Sequence, residues 1–195
     1  ILASGKPMIR TSILLLITIA TLVGLPVAHA DTNPNQKAVL VTGASSGLGR
    51  AMAETMAANG YFVYAGARKD KDLVELNAIE NIQGVRLDVN KQEQIDAAVK
   101  TITEAGRGLY GLVNNAGVVV VQPLIEIEEP DFDFQMNVNV YGPYRVTRAF
   151  APLIIESKGR ISIIGSSSGT LSSATWGPYS MTKFAMEAYA DALAD

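Results

Sequence analysis

Tyr179 and Lys183 stand four residues apart, and in a helix that spacing stacks both side chains on one face, a turn from each other. The residue types give the spacing a chemical meaning. A phenol with an ordinary pKa of about 10 exchanges protons poorly near neutrality, and an ammonium beside it favours the phenolate and lowers that value. Such a tyrosine is a candidate general acid/base. Alone, Tyr179-Ser180-Met181-Thr182-Lys183 describes a half-buried tyrosine and a solvated lysine equally well. Ser166 adds to it: it lies 13 residues before Tyr179, at the C-terminal end of an apolar run, where open α/β sheets place their ligands.

A second group is Thr42-Gly43-Ala44-Ser45-Ser46-Gly47-Leu48-Gly49, between an apolar run and an amphipathic stretch. Glycines let a backbone turn tightly and approach a pyrophosphate closely, while the free N–H groups and positive end of the following helix hold negative charge. A tight strand-to-helix turn without a ligand has the same glycines, so position matters more than spelling. No glycine is followed by Lys-Ser or Lys-Thr, which removes the lysine a nucleotide triphosphatase needs.

Positioning these groups requires a frame, and the chain from Asp31 supplies short apolar runs alternating with longer amphipathic ones. Strands are predicted at Ala38–Val41, Tyr61–Ala65, Val85–Leu87, Gly111–Val113 and Arg160–Ile164. Between them lie a helix with Leu48, Met52 and Met56 on one face, stopped by Asn59-Gly60, and a charged helical connection. Further helices are expected at Lys91–Glu104, with Ile95, Val99 and Ile102 on one side, and from near Asp131 to Leu153, where Pro143 costs regularity. A last helix starts at Pro178 and is still running at Asp195. The fold class is α/β, a Rossmann-like doubly wound parallel sheet with five strands.

With the glycine turn and the Tyr-Lys pair in place, the chain resembles the short-chain dehydrogenase/reductase family over most of residues 31–195. Three further segments agree. Asn114-Asn115-Ala116-Gly117 matches the family's N-N-A-G segment, which steadies the sheet and borders the cofactor; Asp88-Val89 resembles its adenine-facing aspartate. Of Asn137 and Asn139, the second takes the place of the family's helix-borne catalytic asparagine, because Gly142 follows three residues on.

The resemblance implies an NAD(P)(H)-dependent oxidoreductase that interconverts a carbonyl and an alcohol by hydride transfer. Tyr179 would pass the proton, Ser166 would hydrogen-bond the reacting oxygen, Lys183 would tune the phenol and grip the nicotinamide ribose, and Asn139 would hold a water in the proton path. Gly43, Ser45, Ser46, Gly47, Leu48, Gly49, Arg68, Asp88, Val89, Asn115, Ala116 and Gly117 would line the cofactor, joined by Tyr179 and Lys183. Ala67 occupies the position where NAD-preferring relatives carry aspartate, and Arg68 is placed to pair with a 2′-phosphate, so NADP(H) is expected over NAD(H). Ser46 departs from this, standing where many NADP-using relatives have a basic residue. Val118–Val121 and Trp176 suggest an apolar substrate end, or ordinary packing.

Two other functions have some support in the residues. Gly165-Ser166-Ser167-Ser168-Gly169 spells the G-x-S-x-G elbow of a serine hydrolase with Ser167 as nucleophile, but the only histidine is His29. A non-catalytic dinucleotide-binding protein would have no use for an intact Tyr-Lys pair. Composition narrows the field further: no cysteine excludes thiol catalysis and cysteine-rich zinc sites in this sequence, and a net charge of −3 without a basic run speaks against nucleic acid. No metal site is expected.

Residues 1–30 read as an N-terminal extension and secretory signal. Met8–Ser12 is a short positive start, Ile13–Leu25 is an apolar core of 13 residues, Pro26 breaks it, and Ala28-His29-Ala30 is a small-x-small cleavage site before Asp31. Export to a periplasm, lumen or exterior is the expectation, with a membrane tether through Ile13–Leu25 as the alternative. Reduced nicotinamide cofactors are cytoplasmic, which strains this expectation, and no twin arginine precedes the core, only Arg10. The family pattern adds two strands and a substrate-covering loop after the tyrosine helix, so residues 1–195 alone are expected to be poorly stable and inactive, and the complete protein a homo-oligomer.

Overall fold

The computed structural model describes residues 36–194. The signal or tether assigned to residues 8–30 lies outside these residues. Five strands form one sheet: β1 Ala38–Val41, β2 Phe62–Ala67, β3 Ile82–Arg86, β4 Gly111–Asn114 and β5 Arg160–Ile163. Their order is β3-β2-β1-β4-β5 and every pairing is parallel. Helices α1 Gly47–Ala58, α2 Asp70–Asn77 and α3 Gln92–Glu104 follow β1, β2 and β3. After β4 come α4 Glu129–Met136 and α5 Gly142–Glu156, and after β5 comes α6 Gly177–Ala194.

The period of two in β1 explains the layering. Ala38 and Leu40 join a core with Ile95, Ala98 and Ile102 of α3 and Val146, Phe150 and Ile154 of α5. Val39 and Val41 point the other way, to Ala53 and Ala57 of α1 and Leu76 of α2. All four are buried, which is what a parallel strand covered on both faces requires. The buried face of α1 is Gly49, Ala53 and Ala57, one residue out of phase with the predicted Leu48–Met52–Met56 stripe. Leu48 is 69% exposed. Small side chains bring the helix axis close to the sheet, and Met52 and Met56 flank that contact as half-buried packing.

The single helix predicted over Asp131–Leu153 is two helices joined by a π-helical turn, Asn137–Tyr141. The Gly142 N–H reaches back five residues to the Asn137 carbonyl. Pro143 follows this turn inside a helical run that is unbroken over 129–156, so the irregularity expected of it is the π-turn itself. Strand boundaries also move: β2 runs on to Ala67, and β3 begins at Ile82 and ends at Arg86.

A parallel sheet puts the C-terminal ends of all its strands along one edge. Thr42, Arg68, Leu87-Asp88, Asn115 and Ile164–Ser166 therefore gather there although they are scattered through the sequence. Between β1 and β4 the chain order reverses, and a crevice opens at such a switch point. Among the described residues no helix is long and apolar enough to cross a membrane.

Candidate active site

The crevice begins with a clamp between the glycine turn and the segment after β4. Thr42 Oγ1 accepts hydrogen bonds from the N–H groups of Asn115 and Ala116, both at 3.0 Å, and donates to the Val113 carbonyl at 3.3 Å. Asn115 Nδ2 donates to the carbonyls of Thr42 at 2.9 Å and Gly43 at 3.1 Å. Two glycines are required by this contact. Gly43 has φ +65°, and a Cβ there would stand 2.9 Å from Ala116 Cα; a Cβ on Gly49 would strike Gly43 O and Asn115 Nδ2.

Ser46 precedes α1 in an extended conformation and makes no side-chain cap. Ser46 thus leaves the amides of the first helical turn uncapped, and with the helix dipole they form an anion seat. The cleft in front has a volume of about 320 Å³. Its walls include Gly43, Ser45, Ser46, Leu48 and Gly49 from the turn, Arg68 after β2, Asp88 and Val89 after β3, and Asn115, Ala116 and Gly117 after β4. The predicted residue Gly47 is not on the wall: it has φ +55° and is exposed, and a Cβ added there would meet nothing within 4 Å.

Gly66, Leu87, Val118 and Val138 also line the cleft without having been predicted as cofactor contacts. The first two adjoin predicted positions at strand ends; Val138 comes from the π-turn, of which Pro143 is the one trace in the sequence. Asp88 accepts from the Asn90 N–H at 3.0 Å through Oδ1, while its own N–H donates to Gln94. The residues present fit a dinucleotide: glycines where a Cβ would intrude, open amides for a pyrophosphate, and a carboxylate at the far wall.

A second cleft of about 560 Å³ is lined by Val119, Ser166, Ser167, Ser168, Leu171, Ser172, Ser173, Trp176 and Tyr179. Val118 faces the first cleft and Val119 the second, so the two spaces flank one short stretch of chain. Trp176 meets the Tyr179 ring edge-on, with centroids 5.7 Å apart. Ser166 Oγ accepts from the Ser168 N–H at 3.1 Å, which leaves its hydroxyl proton to donate. Gly165–Gly169 is not a hydrolase elbow: Ser167 opens a three-residue 3₁₀ turn instead of a strand-to-helix bend, and no histidine occurs among the described residues.

Tyr179 and Lys183 share one face of α6, with Lys183 Nζ 5.7 Å from the centroid of the Tyr179 ring. The ammonium donates to the Ile164 carbonyl at 2.6 Å, which ties α6 to the end of β5. Burial pushes the Lys183 pKa below its ordinary value, and the nearby Glu187 carboxylate partly opposes that shift. Neither Lys183 nor Asn139 lines a cleft wall. Asn139 is buried, and its side chain is engaged by protein: Oδ1 accepts from the Val118 N–H at 2.8 Å, and Nδ2 donates to Val118 O at 2.8 Å and Thr182 Oγ1 at 3.1 Å. Both amide protons of Asn139 are thereby used within the protein. Asn137, by contrast, bonds locally to Asp133 and Arg145. Among the described residues no cluster of three or more His, Cys, Asp or Glu side chains forms.

Taken together, the geometry offers an anion-binding dinucleotide crevice beside an open cleft that presents a phenol and a serine hydroxyl. Comparison with known proteins agrees with it. The sequence model of the short chain dehydrogenase family matches residues 37–195. The 3-amino-tetrahydro-pyrrolizinone reductase of Xenorhabdus hominickii is 39% identical over 160 residues, 81% of this chain and 55% of that protein. Among solved structures, a gluconate 5-dehydrogenase from Burkholderia cenocepacia in complex with NADP and tartrate is 28% identical. It superposes with a TM-score of 0.73, covering 77% of this chain and 61% of that one. A short chain dehydrogenase/reductase from Burkholderia phymatum in complex with NAD is 31% identical with a TM-score of 0.76, covering 81% and 59%. The chain spans about half the length of the curated relatives it matches.

Proposed function

This chain belongs to the short-chain dehydrogenase family, and from that premise we propose that the intact protein interconverts a carbonyl and an alcohol, with NADP(H) preferred over NAD(H). A bound nicotinamide cofactor would supply or accept the hydride. The chain's own residues would do the rest. The Tyr179 hydroxyl would deliver a proton to a carbonyl oxygen in the second cleft, or remove it from an alcohol, and Ser166 would donate a hydrogen bond to the same oxygen. Lys183 would hold its charge beside the Tyr179 ring while anchored on Ile164 O, and Asn139 would fix the loop at Val118 against α6. The amides at the start of α1, with Gly43 and Gly49, would seat the pyrophosphate. Arg68 would pair with the 2′-phosphate, and Ala67 leaves no carboxylate there to repel it.

One observation carries this reading: Ser166 and Tyr179 line a single cleft, and the neighbouring Val118 and Val119 divide that cleft from the glycine-walled one. The test is a screen of the intact protein for loss of reduced-cofactor absorbance across ketones and aldehydes, and for its gain across alcohols, with NADP(H) and NAD(H) in parallel. Turnover with NADP(H) preferred is expected; no hydride transfer with any of these classes would overturn the activity. We further propose export directed by residues 8–30, with cleavage before Asp31, and assembly as a homo-oligomer. N-terminal sequencing of the mature protein and its mass in solution test these two statements.

A further inference from the structure

Arg86 ends β3 directly beside Ala67, its register partner on β2. Its guanidinium leaves the strand end and grips the β2–α2 turn at two points. Nη1 donates to the Arg68 carbonyl at 2.5 Å, and Nη2 forms an ion pair with Asp70. Arg68 itself lines the dinucleotide cleft, and among the described residues its guanidinium meets no carboxylate. Asp70, two residues further on, opens α2. A negative charge thus stands close in sequence to the group that would receive a phosphate, and Arg86 answers it.

We propose that Arg86 is a positioning residue for the cofactor 2′-phosphate: by holding the Arg68 carbonyl and neutralising Asp70, it keeps the Arg68 guanidinium available and sets the preference for NADP(H). This inference rests on the NADP(H) reading above. The Asp70 side chain is 93% exposed, and an ion pair in that setting adds little to folding stability. The two-point grip suits the planar fork of arginine, whose donors reach a carbonyl and a carboxylate at once; a lysine point charge would not hold both. Without Arg86, Asp70 becomes a competing partner for Arg68. That competition acts on a phosphorylated ribose and leaves an unphosphorylated one untouched.

The experiment measures dissociation constants of NADPH and NADH by cofactor fluorescence on the intact protein, comparing the wild type with Arg68→Met, Arg86→Met and Arg86→Met/Asp70→Asn. Arg86→Met is expected to weaken NADPH roughly fivefold while NADH stays within about twofold, and Asp70→Asn should restore most of the loss. The defect should shrink at high salt, as interactions between exposed charges do. Retained NADH binding reports that each variant is folded. Equal loss for both cofactors, no loss, or no restoration by Asp70→Asn overturns the role of Arg86. If Arg68→Met weakens NADPH while Arg86→Met does not, only Arg86 is removed from the account. If Arg68→Met has no effect, the NADP(H) reading fails and Arg86 falls with it.

Discussion

Asn139 of the π-turn donates a hydrogen bond to Thr182 Oγ1 of α6 at 3.1 Å, one residue before Lys183. Thr182 passes the link on, since its hydroxyl donates to the Tyr179 carbonyl at 2.7 Å. A side chain with no place on either cleft wall is thereby coupled to the backbone that carries both Tyr179 and Lys183. The other end of Asn139 holds Val118 by its N–H and its carbonyl, where the two clefts adjoin.

Replacing Thr182 by valine keeps the shape of a fully buried side chain but leaves one Asn139 amide proton without its partner. An orphaned buried donor costs about 1–3 kcal/mol. The midpoint of urea unfolding should fall with an unchanged slope, and kcat of the intact protein should fall more than cofactor affinity does. An unchanged midpoint would mean that the link supports nothing.

Tyr179→Phe removes only a hydroxyl. The ring and its edge contact with Trp176 are retained, and the first cleft, which Tyr179 does not line, stays intact. Turnover is expected to fall by roughly 10²–10⁴-fold, the usual contribution of a positioned acid/base group, while the cofactor dissociation constant is unchanged. Retained turnover would remove Tyr179 from the chemistry.

Gly49→Ala tests the crevice from the other side. The added methyl would meet Gly43 O and Asn115 Nδ2, groups that are themselves bonded to each other. Overpacking of this kind costs about 1–3 kcal/mol. Relief requires the helix to move off the turn, so cofactor binding measured by fluorescence should be lost well before the fold, followed by circular dichroism. Cofactor affinity equal to that of the wild type would show that the close approach of α1 is not needed.

Why some of this was legible in the sequence and some was not follows from what each signal depends on. β1 and the glycine turn were readable because both obey local rules: a fully apolar strand followed by residues that only a tight turn tolerates. Strand-end position and helix spacing account for Ser166 and Tyr179 lining one cleft, with Lys183 on the Tyr179 face of α6 but off the cleft wall. The face of α1 is not legible from side-chain size, because close helix-to-sheet packing selects Gly49, Ala53 and Ala57 over the larger Leu48, Met52 and Met56. Pro143 marks an irregularity in the helix expected over Asp131–Leu153, but its form, a π-turn in which Asn139 is held by Val118 and Thr182, depends on contacts 21 and 43 residues away. Val138 reaches the dinucleotide cleft from that same turn.

Tyr64 offers the sharpest separation of stability from function. It is fully buried in the core beneath α3 and α5, and its hydroxyl has no hydrogen-bond partner. Burial raises its pKa above the ordinary 10.0, and the Arg107 charge opposes that only in part. The sign follows: above pH 10.0 the unfolded chain loses this proton first, so the folded state binds more protons and stability falls as pH rises. Below that pH both states keep the proton and the effect vanishes. Tyr64→Phe deletes the unpaired hydroxyl and the titration together. At neutral pH the variant should match or exceed the wild type by up to about 1 kcal/mol, because a partnerless buried polar group has been removed. Above pH 10.0 its advantage should widen as the wild type weakens. Denaturant midpoints of both proteins across this range measure the difference; a constant gap would show that burial does not shift this proton, and a variant weaker at neutral pH that the Tyr64 hydroxyl has a partner.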